Sequence, residues 1–201
     1  MWKQFVLLFA AAACAISAAD GFRPLFNGKN LDGWDGDPRL WKVQDGVIVG
    51  STEGVTLKGN TFLISRQSFG DFVLQVEMKL RNHNSGIQFR SEALPDWVVR
   101  GYQADAAVNP DAHWGNLYDE KGTRGIMVNT WKEAGSKAYK PGDWNLFEIR
   151  CQGDHIQIKL NGTVTADLRD SARLEGIVAL QLHAGPPMQA SFRNIRIREL
   201  R

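Results

Sequence analysis

Residues 99–120 read VRGYQADAAVNPDAHWGNLYDE. Gln103 and Asp105 stand two apart in a short β-like run. A His113-Trp114 pair follows, and Tyr118 and Glu120 again stand two apart. Elsewhere Gln88 and Arg90 have this spacing, as do Gln181 and His183. Side chains at i and i+2 of a strand project from one face. Amides, guanidinium groups and carboxylates suit sugar hydroxyls, which both donate and accept hydrogen bonds. A carboxylate, a phenol and an imidazole on that face can also move protons. Glu120, Asp105, His183 and Tyr118 are therefore candidate catalytic groups. Arg90, Gln88, Gln103, Gln181, Trp114 and His113 are candidate substrate contacts. Trp97, Trp114 and Trp131 lie in loop-like stretches and would cap the patch with apolar faces.

Structural readings compete at several of these positions. Arg90 and Asp105 would also serve as an ion pair, and His113 as an ordinary loop residue. His83 and His155 read as surface residues. Gln75, Glu77, Lys79, Gln157 and Lys159 read as the solvated face of strands.

The elements that must hold these groups are strands. In Phe72–Leu80 the even positions Phe72, Leu74, Val76, Met78 and Leu80 are apolar, and Gln75, Glu77 and Lys79 are polar. That period of two is the mark of a half-buried strand. It recurs around Ile87 and Phe89, in Phe147–Cys151, in Ile156–Leu160 and in Val178–Leu182. Asp45-Gly46, Gly153-Asp154 and Asn161-Gly162 separate runs as hairpin turns, since such residues accept positive φ cheaply. In Ser191–Leu200 the apolar parity switches between Phe192 and Ile195, which predicts a β-bulge near Arg193-Asn194. Ser171–Leu174 is the one stretch expected to form a helical turn, and Gly135–Gly142 reads as a polar loop. The fold class expected is all-β: a jelly-roll sandwich of two antiparallel sheets, one of them offering a concave outer face.

Met1-Trp2-Lys3, the apolar run Phe5–Ile16 and Ser17-Ala18-Ala19 have the pattern of a signal peptide over residues 1–19, with cleavage before Asp20. The run is shorter than the roughly 20 residues of a membrane-spanning helix. Cys14 lacks the Leu three residues earlier that a lipobox needs, so a lipid anchor is disfavoured. The expectation is a periplasmic or secreted chain with a single domain over residues 20–201. The full chain carries 24 Lys and Arg against 22 Asp and Glu, a net +2, which falls by one with Lys3 removed. No basic run stands out, so nucleic acid and anionic membranes are poor partners. Cys151 is the lone thiol after cleavage, so no internal disulfide forms. It lies on an apolar parity and reads as a small buried hydrophobe.

No His-x-x-x-His, calcium-loop or paired-cysteine spacing occurs. No motif demands a cofactor. A divalent cation held by Asp105, Asp119 or Glu120 fits the residue chemistry, but the spacing does not require it. No phosphate loop, dinucleotide fingerprint or Gly-x-Ser-x-Gly elbow is present.

Several stretches carry a family likeness: Leu25–Trp34 (LFNGKNLDGW), Trp41–Gly46 (WKVQDG), Asp71-Phe72, Asn84–Ile87, Gly101–Asp105 (GYQAD), Gly142–Asn145, Ala179–His183 (ALQLH) and Phe192–Ile195 (FRNI). Their order and spacing resemble the bacterial 3-keto-disaccharide hydrolase family, covering 3-keto-glucoside 1,2-lyases and 3-keto-2-hydroxy-glucal hydratases. The resemblance implies a concanavalin A-like jelly roll. It also implies a chemistry: a ketone at C3 acidifies the C2 hydrogen, a base removes it, the enolate expels the C1 substituent, and water adds at C1 to release 3-keto-glucose. Such a reaction needs a base, here Glu120 or Asp105, and an enolate stabiliser such as Arg90 or a cation. It also needs an acid for the leaving oxygen, here His183 or Tyr118. The alternative is a non-catalytic carbohydrate-binding module of the same fold. A conventional two-carboxylate glycosidase is disfavoured. Glycosidases of this fold carry Glu-x-Asp-x-(x)-Glu on one strand, whereas this chain has Gln103, Ala107 and Val108.

Overall fold

The computed structural model describes residues 21–108 and 112–201. The expected signal peptide and its cleavage point lie outside the described residues. The strands are, in chain order, β1 (Arg23–Pro24), β2 (Trp34–Asp35), β3 (Trp41–Gln44), β4 (Val47–Ser51), β5 (Thr61–Phe69), β6 (Phe72–Leu80), β7 (Asn84–Leu94) and β8 (Val98–Ala107). They continue with β9 (His113–Glu120), β10 (Gly125–Val128), β11 (Asn145–Gln152), β12 (His155–Leu160), β13 (Thr163–Arg169), β14 (Gly176–Leu182) and β15 (Gln189–Glu199).

They form two antiparallel sheets. The first runs β13-β12-β11-β6-β15-β4-β3, with β1 also pairing β15. The second runs β10-β9-β8-β7-β14-β5-β2. The fold is thus an all-β jelly-roll sandwich, as the strand periodicity predicts.

Alternation explains the layering. Phe72, Leu74, Val76, Met78 and Leu80 of β6 are buried in the main apolar cluster. So are Phe147, Ile149 and Cys151 of β11, and Leu180 and Leu182 of β14. Burial pushes the Cys151 thiol up to about 12, so it behaves as a small hydrophobe. The turns fall where expected. Asp45-Gly46 has φ of 51° and 76°, and Asn161-Gly162 has φ of 48° and 87°. The β15 bulge is also present: pairing with β6 shifts register between Arg193 and Arg196, with Asn194 at φ 52°.

Two local expectations are corrected. Ser171–Leu174 forms no helix. The helical turns occur at Trp131–Gly135, wound as a π-type turn that runs up to the start of the stretch read as loop, and at Ser136–Ala138 (α1), inside that stretch. Packing decides this, because Trp131, Ala138 and Tyr139 lie against the core beside Trp114. No helix among the described residues is long and apolar enough to cross a membrane.

Candidate active site

The second sheet presents one outer face to solvent, and part of it forms a cavity of about 280 Å3. Its lining is Asn60, Asn84, Gln103, Asp105, His113, Tyr118, Glu120, Ile126, Gln181 and His183. These residues come from five neighbouring strands and the segments just outside β5 and β14. Antiparallel register brings them together: Gln103 faces Tyr118, and Gln88 faces Gln103. Of the sequence candidates, Glu120, Asp105, His183, Tyr118, Gln103, Gln181 and His113 therefore share one pocket.

Within the pocket the amides form a directed chain. Gln88 Nε2 donates to Gln103 Oε1 at 2.8 Å. Gln103 Nε2 then points to Asp105 Oδ1 at 3.0 Å and to Gln181 Oε1 at 3.5 Å. Gln181 Nε2 donates to Glu120 Oε2 at 3.3 Å, and Asn60 Nδ2 donates to Glu120 Oε1 at 3.2 Å. Asn60 is oriented by the Ala184 N–H, which donates to its Oδ1 at 3.0 Å. Asp105 Oδ2 meets His113 Nε2 at 3.0 Å. An ionised carboxylate only accepts, so both acids face donors on either oxygen. Gly86 makes room for this chain, because a Cβ there would lie 2.5 Å from Gln103 Cδ.

The electrostatics distinguish the groups. Glu120 is 6 % exposed, and burial raises its pKa against the opposing Asn60 hydrogen bond and His183 charge. Tyr118 is raised too, by burial first and then by Glu120, Asp105 and Asp119. It keeps its proton at neutral pH. His183 Nδ1 meets the Ala184 carbonyl oxygen at 2.5 Å; a carbonyl only accepts, so Nδ1 carries the hydrogen of this bond. His83, expected at the surface, instead packs its ring 4.8 Å from that of His183. Burial, and then the His183 charge, lowers the His83 pKa.

Five expected contacts lie elsewhere. Gln88 is fully buried and reaches the pocket only through Gln103. Arg90 is also fully buried and points the other way. It donates to the carbonyls of Gly70 (2.9 Å) and Gly153 (2.6 Å) and pairs with Asp71 at 2.8 Å. The cause is a bulge: register with β8 shifts between Phe89 and Glu92, and Arg90 takes φ 45°. Its partner is therefore Asp71, not Asp105. Trp114 is core, stacked on Tyr139 and Phe147 at 4.7 and 5.9 Å. Here Asn116 pairs with Asp105 but Trp114 pairs with Ala106, so one residue, Gly115 at φ 85°, reverses the parity. Trp97 covers a second apolar cluster of Phe62, Ile64, Val99 and Ala179, and Trp131 packs on the main core. Neither lines the pocket.

Asp119 leaves the cation set as well. It sits on the opposite face of β9, bound to Arg124 at 3.0 Å. Among the described residues no group of three or more His, Cys, Asp or Glu is arranged to hold a metal ion. Asn60, Asn84, Ile126 and His83 are the pocket or near-pocket residues that sequence reasoning missed. Asn60 and His83 lie at strand ends where parity has no meaning. Asn84 carried a signal, since it belongs to the quoted Asn84–Ile87 motif.

A search among curated proteins finds no significant match. A Parabacteroides distasonis ATCC 8503 structure with the provisional name of glycosyl hydrolase is 24 % identical with a TM-score of 0.66, over 89 % of this chain and 99 % of that one. The carbohydrate-binding module CBM66 from Bacillus subtilis is 19 % identical with a TM-score of 0.61, over 83 % and 96 %. The Bacillus licheniformis β-glucanase is 13 % identical with a TM-score of 0.59, over 89 % and 97 %. These likenesses establish the jelly-roll fold. The profile of the 3-keto-alpha-glucoside-1,2-lyase-like domain matches residues 21–198, nearly the whole described chain, and the protein belongs to that carbohydrate-active family.

Proposed function

We propose that the protein is an exported enzyme that cleaves 3-keto-glycosides, 3-keto-disaccharides among them, by elimination and hydration. The observation that carries this is the convergence of Glu120, Asp105, Tyr118 and His183 on one pocket with the amides of Asn60, Gln103 and Gln181. Glu120 is the base for the C2 proton. Burial strengthens it, and the Asn60 and Gln181 donors fix its two oxygens. Abstraction moves the C–H electron pair into an enolate spanning C2 and C3. Arg90 is too far removed to stabilise the enolate oxygen, which falls to the amide and imidazole N–H groups of the pocket. The enolate expels the C1 substituent, whose oxygen takes a proton from Tyr118, with His183 as the second candidate. Water then adds across C1 and C2, with hydroxide to C1 and a proton to C2, and gives 3-keto-glucose.

Asp105 and His113 form a second carboxylate–imidazole pair beside this centre. Its role in this scheme is to orient Gln103 and a sugar hydroxyl. The test is direct. The protein should release 3-keto-glucose from a 3-keto-disaccharide and exchange the C2 hydrogen in deuterated solvent. Glu120→Gln should remove both. Neither product nor exchange from the wild-type protein would overturn the proposal. Saturable sugar binding without turnover would favour the second reading, a carbohydrate-binding module, for which the likeness to CBM66 speaks.

A further inference from the structure

Ile126 is 56 % exposed, more than Leu174 or Val164, the other large apolar side chains left open to solvent among the described residues. It is a member of neither buried apolar cluster. It lies on β10, the edge strand of the second sheet. Edge strands ordinarily carry charge at such positions, because an exposed apolar edge invites aggregation. This one instead borders the cavity, where every other lining group has a polar function.

Register says which part of the cavity it borders. Ile126 stands directly opposite Tyr118 across the β9–β10 ladder. Directly opposed residues project from the same face, with Cβ atoms about 4.5–5.5 Å apart. The sec-butyl side chain of Ile126 and the ring of Tyr118 therefore make one apolar wall, while Gln103 and Asp105 stand on β8, Gln181 on β14 and Glu120 further along β9.

We propose that this wall is the leaving-group subsite, and that it favours an aglycone with an apolar or aromatic face. The inference rests on the function proposed above, in which the Tyr118 hydroxyl protonates the glycosidic oxygen. The leaving group then departs beside Tyr118, and its nearest neighbour on the outer side is Ile126. A polar sugar leaving group gains little from that contact. An aryl group loses water against it on both sides.

The experiment compares phenyl and methyl 3-keto-glucosides with the wild-type protein and with Ile126→Thr, which keeps a β-branched edge residue but adds a hydroxyl. The phenyl-to-methyl ratio of kcat/KM should fall about tenfold in Ile126→Thr, the loss appearing in KM, and Ile126→Val should retain most of it. An equal effect on both substrates, or none on the ratio, overturns the assignment. Should the wild-type protein turn over neither substrate, the proposed reaction fails, and the subsite is read independently. Phenyl glucoside, but not methyl glucoside, should then shift the Ile126 δ1-methyl signal saturably in a carbon-labelled sample. No shift with phenyl glucoside overturns it.

Discussion

The outer faces of the two sheets show what separates a solvated polar surface from a working one. Both alternate polar with buried apolar residues. On the first sheet the polar groups answer one another with opposite charge. Glu77 binds Arg193 at 2.7 Å, and Glu148 binds Lys159 at 3.1 Å and accepts from Gln75 at 2.8 Å. These pairs stay wet: Glu77 and Arg193 keep 25 % and 39 % of their side-chain surface exposed. Such pairs contribute little each. In the cavity of the second sheet the carboxylates of Asp105 and Glu120 are buried, and no described Lys or Arg lines it. They are held by amides and imidazoles instead, and burial outweighs these partners and raises the proton affinity of Glu120. The lesson is that burial without a counter-charge marks chemistry more sharply than polarity does.

Breaking that contrast gives the largest expected effect. Glu120→Gln should lower turnover by about 10²–10⁴-fold, whereas Glu148→Gln on the other sheet should change it less than about twofold. Steady-state kinetics on the two variants decides the matter, and equal losses would erase the distinction. Arg90→Ala comes next and acts on stability. It removes a fully buried cation that bonds the turn after β11 and the start of β6. The expected loss is about 2–4 kcal/mol in a denaturant melt, the lower end because Asp71 is partly exposed and can be rehydrated. The folded fraction should keep its kcat, since Arg90 lies outside the pocket. A smaller effect is expected from Gly86→Ala, which crowds Gln103. It should cost about tenfold in kcat/KM, because small misplacements of positioning groups are expensive.

The smallest effect sharpens the comparison through pH. A carboxylate whose native pKa lies above its unfolded value of about 4.3 binds its proton more tightly when folded. The stability it contributes is fully present below that unfolded value and is lost as pH rises through the raised one. Glu120→Gln removes this dependence. Its melting temperature relative to wild type should therefore rise between acid and neutral pH, by a few degrees at most. The wild-type kcat/KM should climb over the same window as Glu120 ionises. A melting difference flat with pH would show that Glu120 titrates as it would in water.

Much of this was legible from alternation alone. Phe72–Leu80 identifies its strand because even residues are all apolar and a single period fits. Tyr118 with Glu120, and Gln103 with Asp105, were correctly placed on one face because no irregularity lies between them. The failures at Arg90 and Trp114 share a cause. Each lies next to a bulge, and one extra residue turns every later side chain to the opposite face. The β15 bulge was foreseeable because apolar residues on both sides display the switch. At Arg90 and Gly115 the neighbours include polar and small residues that suit either face, so the shift leaves no mark. Trp97 and Trp131 failed for another reason: a loop aromatic can cover a core as readily as a sugar, and sequence does not say which lies beneath it.

The head-to-tail order from Gln88 through Gln103 and Gln181 to Glu120 has a thermodynamic consequence for recognition. A row of amides satisfied in one direction has already surrendered its rotational freedom during folding. Side chains that must be immobilised by an arriving molecule cost about 0.5–1.5 kcal/mol each. Here that entropy was lost when the chain folded, so even a small, heavily hydrated guest meets a rigid template and keeps most of the enthalpy of its contacts.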